Sequence, residues 1–116
     1  MLQDLTIAFI GNNYGITPEQ ISEIKNIINK NNIKYIFHES LTKSDFYINE
    51  FFKIYKNIKI NVGNINNNIN KIDKLFFILE NKASKQQKIF KKLINSFHIM
   101  NKQIFSILPN GNVKKI

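Results

Sequence analysis

The chain of 116 residues contains no cysteine, no tryptophan and no arginine, and it has only four glycines and two prolines. The absence of cysteine excludes disulfide bonds and thiolate metal sites. Only His38 and His98 could serve as imidazole ligands, so neither a metal nor a cofactor is predicted. Arginine is the side chain that forms bidentate contacts with phosphate and guanine, so its absence disfavours nucleic-acid binding.

Long hydrophobic runs are also missing. The apolar run Leu5–Ile10 is short, follows Asp4 and lacks a basic leader, so it does not have the features of a signal peptide. No run reaches the ~18–20 apolar residues that a membrane-spanning helix needs. We therefore expect a soluble, cytoplasmic protein with no membrane partner.

The composition is dominated by 23 Ile, 19 Asn and 17 Lys, and the formal net charge is +9. The codons of these residues are A/T-rich, which indicates an A/T-rich genome, viral or low-GC bacterial. The charge is uneven, because residues 1–80 carry nine Lys and eight acids whereas residues 81–116 carry eight Lys and no acid. The basic character therefore belongs to the last third of the chain, and codon bias accounts for part of it.

The hydrophobic pattern predicts alternating strands and helices. Thr17, Pro18 and Gln20 form a helix start with a capping box, and Ser84 with Gln87 offers a second one. The Asn-rich segment Gly63–Asn70 is predicted to be a mobile loop, with a short helical piece after it before the next strand. Strands are predicted at Leu5–Ile10, Lys34–His38, Ile58–Val62, Leu75–Leu79 and Gln103–Leu108, and helices follow the first, second and fourth of them.

This alternation predicts an α/β fold of the small, three-layer, Rossmann-like kind, with a five-stranded, mostly parallel sheet. The long loop before the fourth strand lets the chain cross to the other side of the first strand, which gives the order 3-2-1-4-5. Ligands in such sheets bind at the carboxyl ends of the strands that flank this switch. Residues 1–111 are expected to form a single domain, and residues 112–116 a loose basic tail.

The first candidate site is the loop after the first strand. Its glycines would let backbone N–H groups approach a phosphate, and Tyr14 could stack on a base or ribose. The alternative is an ordinary strand-to-helix loop with a well-capped helix. The candidate ligand-binding residues are Gly11, Asn12, Asn13, Tyr14, Gly15 and Thr17.

The second candidate site is the segment His38–Asp45, directly after the second strand. A histidine and two carboxylates, Glu39 and Asp45, could perform acid–base chemistry there, with Ser40 beside them. The alternative is that His38 is structural and that Ser44 or Asp45 caps the next helix.

The third candidate site follows the fourth strand and comprises Asn81, Lys82, Ala83, Ser84 and Lys85. Lys82 and Lys85 lie at a predicted helix N-terminus, where a lysine opposes the helix dipole and a bound phosphate would offset that cost. The alternative is the general enrichment of the chain in lysine.

Five segments in this order resemble the SLOG superfamily, in particular its small YspA/YpsA-like members, which are Rossmann-like domains related to the LOG-type phosphoribohydrolases. The matching segments are Ile7–Gly11 with Gly15–Pro18, His38–Asp45, Ile72–Ile78, Ala83–Ser84, and Ile107–Gly111 with its Pro109 turn. The resemblance implies a pocket for a nucleotide-derived ligand such as an ADP-ribose-type signal. Its phosphates would lie against Gly11–Thr17 and Ala83–Lys85, and its ribose or base would lie near His38, Ser40 and Asp45.

The chain departs from the family pattern at the residues that matter for turnover. Glu39 and Lys43 stand in place of inner glycines, the Gly-Thr of the fourth motif is missing, and the enzyme-type PGGxGTxxE motif and a catalytic arginine are absent. These departures favour binding, and in a viral protein the binding would take the form of sequestering a host nucleotide immune signal. A homodimer is also expected, since small domains of this type often pair through an edge strand or helix.

Two other functions stay open at this point. The first is a hydrolase of LOG type, acting on the N-glycosidic or phosphoester bond of a nucleotide with Glu39 or Asp45 as the acid–base group. The second is a protein-interaction module that uses the basic last helix with Lys88, Lys91 and Lys92.

Overall fold

The computed structural model describes residues 4–13, 15–80 and 90–116. Its sheet has six strands in the order β3-β2-β1-β4-β5-β6, parallel except for β6. This confirms the predicted Rossmann-like α/β fold and adds a sixth strand. The elements are β1 (Leu5–Ile10), α1 (Pro18–Lys30), β2 (Ile33–His38), α2 (Lys43–Phe52), β3 (Lys59–Val62), a 3₁₀ helix (Asn66–Lys71), β4 (Lys74–Ile78), α3 (Lys91–Ile99), β5 (Gln103–Ile107) and β6 (Val113–Lys115).

Both faces of the sheet are covered by apolar side chains from the helices. On the first face, Ile24 of α1 and Phe52 of α2 are buried together with Ile7 and Phe9 of β1. On the second face, the 3₁₀ helix and α3 cover the alternate residues of the central strands, among them Ala8, Ile10, Leu75 and Phe77. Because β1 and β4 are buried on both faces, they read as continuous apolar runs in the sequence.

Capping boxes start the first two helices. At α1 the Thr17 hydroxyl accepts a hydrogen bond from the Gln20 N–H, and the Gln20 side chain accepts one from the Thr17 N–H, as the sequence predicts. At α2 the cap is Thr42 and its reciprocal partner is Asp45. The expectation that Ser44 or Asp45 is the cap is therefore wrong, because the cap lies two residues before Ser44 and three before Asp45. A capping box needs a hydroxyl three residues before the side chain that completes it, and Thr42 provides it for Asp45.

The short helical piece predicted before β4 is present, but it lies mostly within the Asn-rich segment that the sequence predicts to be a loop. This segment contains the 3₁₀ helix, and Ile65 and Ile69 are buried against the second face of the sheet. The isoleucines anchor the segment although its asparagines face solvent. Lys102 completes the anchoring, since its ammonium group donates to the carbonyl oxygens of Ile69 at 2.7 Å and Ile72 at 2.5 Å.

Replacing Lys102 with methionine is expected to lower the free energy of unfolding by about 1.5–3 kcal/mol, the typical contribution of hydrogen bonds to a charged group. The substitution keeps the apolar stem and leaves two carbonyl groups without their donor. Urea unfolding measures the effect, and Lys92→Met, at an exposed position on α3, is the matched control with an expected change within about 0.5 kcal/mol. Equal unfolding midpoints for the two variants would contradict this role for Lys102.

The C-terminal segment also differs from its prediction as a loose tail. A turn at Pro109–Gly111, with Gly111 at φ 89°, reverses the chain, and β6 then pairs antiparallel with β5. The turn is closed by hydrogen bonds from the Gly111 N–H to the Leu108 carbonyl and from the Leu108 N–H to the Asn112 carbonyl. Because Lys114 and Lys115 are exposed on this edge strand, the segment carries no apolar signal in the sequence.

The predicted start of the third helix at Ser84 lies outside the described residues. Within the described ranges, none of the helices has the length and apolar character that a membrane crossing requires.

Candidate functional site

The switch of strand order lies between β1 and β4. After β1 the chain passes to α1 on the first face of the sheet, whereas the next described helix after β4 is α3 on the second face. Asn12 lies at this point and is buried. Its amide nitrogen donates to the Ile78 carbonyl at 2.9 Å, and its amide oxygen accepts from the Gly15 N–H at 3.0 Å. Asn12 therefore fixes the end of β4 to the loop that follows β1.

The same loop is held against the start of α2. The Asn12 N–H donates to the Ser44 hydroxyl at 2.6 Å, and the Ser44 N–H donates to the Asn12 carbonyl at 3.1 Å. Gly11 is packed so closely here that a Cβ atom would lie 1.7 Å from the Ser44 Oγ and 2.7 Å from the Thr42 Oγ1. Only glycine allows this approach of the two connections.

Asp45 contributes a buried carboxylate to this contact. Its Oδ2 accepts from the N–H groups of Leu41 at 3.0 Å and Thr42 at 3.2 Å. Its Oδ1 has no hydrogen-bond partner in the described part of the chain, and it lies 2.9 Å from the position of a Cβ on Gly11. A buried acceptor without a donor costs about 1–3 kcal/mol, so this oxygen can be stabilised by any group that brings a hydrogen.

The start of α1 is fastened to the ends of β4 and β5. The buried side chain of Gln20 donates to the Leu79 carbonyl at 2.8 Å and to the Ile107 carbonyl at 2.9 Å. The Thr17 hydroxyl donates to the Pro109 carbonyl at 2.6 Å. The structure therefore brings Thr17 and Pro109 together, and the protein itself supplies the partners of this helix start.

The acid–base candidates His38 and Glu39, at and after the end of β2, form hydrogen bonds with backbone N–H groups and not with each other. The Ser40 N–H donates to the Nδ1 of His38, so the ring proton is on Nε2 and is donated to the Asn49 Oδ1 at 3.1 Å. The Glu39 carboxylate accepts from the Ile65 N–H at 3.0 Å, ahead of the 3₁₀ helix. Ser40 is exposed and has φ 57°, a left-handed conformation at the tight turn that follows β2.

The structure thus brings Gly11, Asn12 and Asp45 into one cluster, with Asn13 exposed beside it. Tyr14 and the segment 81–85 lie outside the described residues. Sequence reasoning missed the close packing of the Thr42 and Ser44 hydroxyls against Gly11, although a Thr three residues before Asp45 is the pattern of a capping box. Among residues 4–13, 15–80 and 90–116, no three His, Asp or Glu side chains come together in a way that could hold a metal ion.

Comparison with known proteins does not add support for the SLOG resemblance, which stays a prediction based on short motifs. No protein-family model matches the chain, and no curated protein or solved structure is significantly similar to it.

Proposed function

We propose that the protein binds a nucleotide-derived ligand of the ADP-ribose type at the carboxyl ends of β1 and β4, without turning it over. The observation that carries this proposal is the switch of strand order at Asn12. Connections that leave neighbouring parallel strands toward opposite faces of a sheet open a crevice between them, and this crevice is where open α/β sheets bind their ligands.

Asp45 supports a ligand that contains ribose. In Rossmann-like domains a carboxylate that follows the second strand commonly accepts a hydrogen bond from a ribose hydroxyl. The Oδ1 of Asp45 is an acceptor of this kind, without a donor among the described residues, and a ligand hydroxyl would supply a hydrogen. Because Gly11 covers this oxygen, the ligand has to lift the loop at residues 11–15. The phosphates would meet Lys82 and Lys85, which remains a prediction from the sequence.

Two features favour binding over hydrolysis. The two ring nitrogens of His38 and the carboxylate of Glu39 already have partners within the fold. The chain has no arginine to stabilise negative charge that develops on a leaving phosphate. Binding without turnover suits a protein that sequesters a signal.

Thermal unfolding in the presence of ligands tests this proposal. At a ligand concentration of 100 Kd, mass action adds about 2.7 kcal/mol to the free energy of unfolding, which raises the Tm by on the order of 10 °C for a chain of this length. ADP-ribose is expected to give this shift, and inorganic phosphate alone a much smaller one. The variant Asn13→Trp fills the rim of the crevice from an exposed position and should abolish the shift.

The control is Asn29→Trp, which adds the same ring to an exposed position on α1 and should leave the ligand-induced shift unchanged. Absence of a shift with every nucleotide in a broad panel would refute binding. If chromatography detects ribose phosphate or a free base released from the ligand, the protein turns the ligand over, which would support the hydrolase instead.

A further inference from the structure

Among residues 4–13, 15–80 and 90–116, no helix covers the part of the second face that β2 and β3 form. Consecutive parallel strands are ordinarily joined by a connection of a dozen or more residues that contains an α-helix, but the connection between β3 and β4 contains only a 3₁₀ helix of six residues. The 3₁₀ helix and α3 pack on Ala8, Leu75 and Ile104, which belong to β1, β4 and β5. A groove of about 410 Å³ is left beside them over β2 and β3, and Tyr35, Phe37, Asn61, Asn68 and Lys71 line it.

Strand register shows which other side chains share this groove. Tyr35 is paired with Thr6 on one side and with Lys59 on the other, and the next row of this face contains Phe37 and Asn61. Residues in register point to the same face of a sheet, so Lys59 borders the groove next to Tyr35. Phe37 is 8% exposed and forms the floor, whereas Tyr35 is half-buried and presents its ring to the groove.

The polar groups of the groove are sorted between its two ends. The 3₁₀ helix begins near the carboxyl end of β3, where Asn68 approaches Gly63. The segment that follows it returns to the opposite end, where the Asp73 N–H donates to the Thr6 carbonyl at 2.8 Å. Amides of Asn61 and Asn68 therefore mark one end, and the ammonium groups of Lys59 and Lys71 mark the other.

Acidic side chains contribute little to this surface. None of the described residues that line the groove is an acid. Two carboxylates follow lining residues closely in the sequence. That of Glu39 accepts from the Ile65 N–H at 3.0 Å near the asparagine end, and that of Asp73 accepts from the Thr6 N–H at 2.8 Å near the lysine end. At this end the ammonium groups of Lys59 and Lys71 outnumber the single carboxylate of Asp73, which favours an anion.

We infer that this groove binds one mononucleotide, at a second site separate from the crevice at Asn12. The base would stack on Tyr35 above the floor formed by Phe37, and Lys59 and Lys71 would contact the phosphate. The Asn61 amide and the amide oxygen of Asn68, whose nitrogen donates to the Asn64 carbonyl at 2.6 Å, would pair with the polar edge of the base. These groups suit a nucleotide because aromatic rings stack on bases of any identity, and amides both donate and accept hydrogen bonds. The volume falls within the range of about 300–1,000 Å³ typical of small-molecule sites, which favours a single nucleotide over a strand.

Titration of the ¹⁵N-labelled protein with AMP and UMP, followed by two-dimensional NMR, tests this inference. Amide shifts are expected at residues 35–37, 59–63 and 68–71, and inorganic phosphate should perturb only the lysine end. Tyr35→Leu removes the ring but keeps the apolar volume, and it should weaken binding about tenfold or more. Lys71→Glu reverses a charge at an exposed position and should weaken binding by a similar factor without unfolding the protein. Lys25→Glu on α1 makes the same charge change away from the groove and should have no effect.

Several results would overturn the inference. The first is that the ligand-induced amide shifts are confined to residues 11–15. The second is that Lys71→Glu binds the mononucleotide as tightly as Lys25→Glu does. Binding of a hexauridylate strand far more tightly than UMP would show that the groove serves a strand and not a mononucleotide. The variant Asn13→Trp separates this site from the proposed function, because it should leave mononucleotide binding at Tyr35 intact even if no ADP-ribose binds at Asn12.

Discussion

Replacing Gly11 with alanine is expected to destabilise the protein by about 2–3 kcal/mol, at the upper end of the usual cost of overpacking. The added Cβ would lie 1.7 Å from the Ser44 Oγ, 2.7 Å from the Thr42 Oγ1 and 2.9 Å from the Asp45 Oδ1. Ser44 could escape only by rotating its hydroxyl away, which would break the 2.6 Å hydrogen bond from the Asn12 N–H. Either outcome separates the loop after β1 from α2, and urea unfolding measures the loss.

A double-mutant cycle with Ser44→Ala identifies the cause. Alanine at position 44 removes the atom that the new Cβ would strike, so Gly11→Ala should cost less in that background, with a coupling of about 1 kcal/mol or more. Gly63→Ala is the matched control, because a Cβ there would lie 3.8 Å from its nearest neighbour, the Asn68 Nδ2. A loss at Gly63 as large as that at Gly11 would show that the effect comes from glycine in general and not from this contact.

Replacing Gln20 with glutamate is expected to destabilise the protein by about 3–5 kcal/mol at neutral pH, although the two side chains have nearly the same shape. The Gln20 Nε2 donates to the carbonyl oxygens of Leu79 and Ile107 at the ends of β4 and β5. A carboxylate oxygen in that place would face two acceptors without a hydrogen to share. The start of α1 would then be repelled from the strand ends that it now joins.

The effect of this substitution should depend on pH. Burial beside two carbonyl oxygens raises the pKa of the introduced carboxyl group above its value in the unfolded chain. The destabilisation relative to the wild type is therefore largest at neutral pH and shrinks as the pH falls through the raised pKa of the folded state. Below about 4.3, the ordinary pKa of a glutamate side chain, the carboxyl group is mostly protonated in both states and can donate to one carbonyl. Gln103→Glu, at an exposed position at the start of β5, is the control and should show neither effect. Equal losses at all pH values would refute the electrostatic explanation.

The sequence predicts the central architecture well because the signals there are local. Apolar runs at Leu5–Ile10 and Leu75–Leu79 mark strands that are buried on both faces, and the capping box at Thr17 and Gln20 marks the start of α1. The order of the first five strands follows from these elements and the crossover rule. β6 escapes prediction because three exposed residues pair with β5 only after the turn at Gly111 has formed.

The candidate site is less visible in the sequence because its contacts join residues far apart in the chain. Gly11 and Asn12 are recognisable as a turn after a strand, but their contact with Ser44 spans 32 positions. Gln20 can be identified as a member of a capping box, whereas its bonds to Leu79 and Ile107 depend on the assembled sheet. His38 and Glu39 suggest acid–base chemistry from their residue types. Only the fold shows that their side chains accept hydrogen bonds from backbone N–H groups.

The short 3₁₀ connection also affects how the chain acquires its sheet during synthesis. β2 follows β1 closely in the chain, but the partner of the other edge of β1 is β4, and the contact between Thr6 and Asp73 spans 67 positions. Until β4 emerges, β1 is an apolar edge strand whose backbone N–H and C=O groups on one side are unpaired. Such a strand can associate with other chains. At about 5–20 residues per second, a connection as short as this one limits that exposure to roughly one to three seconds after β3 is made. A full helix between β3 and β4 would cover the groove over β2 and β3, but it would also lengthen the time for which the nascent chain is exposed to aggregation.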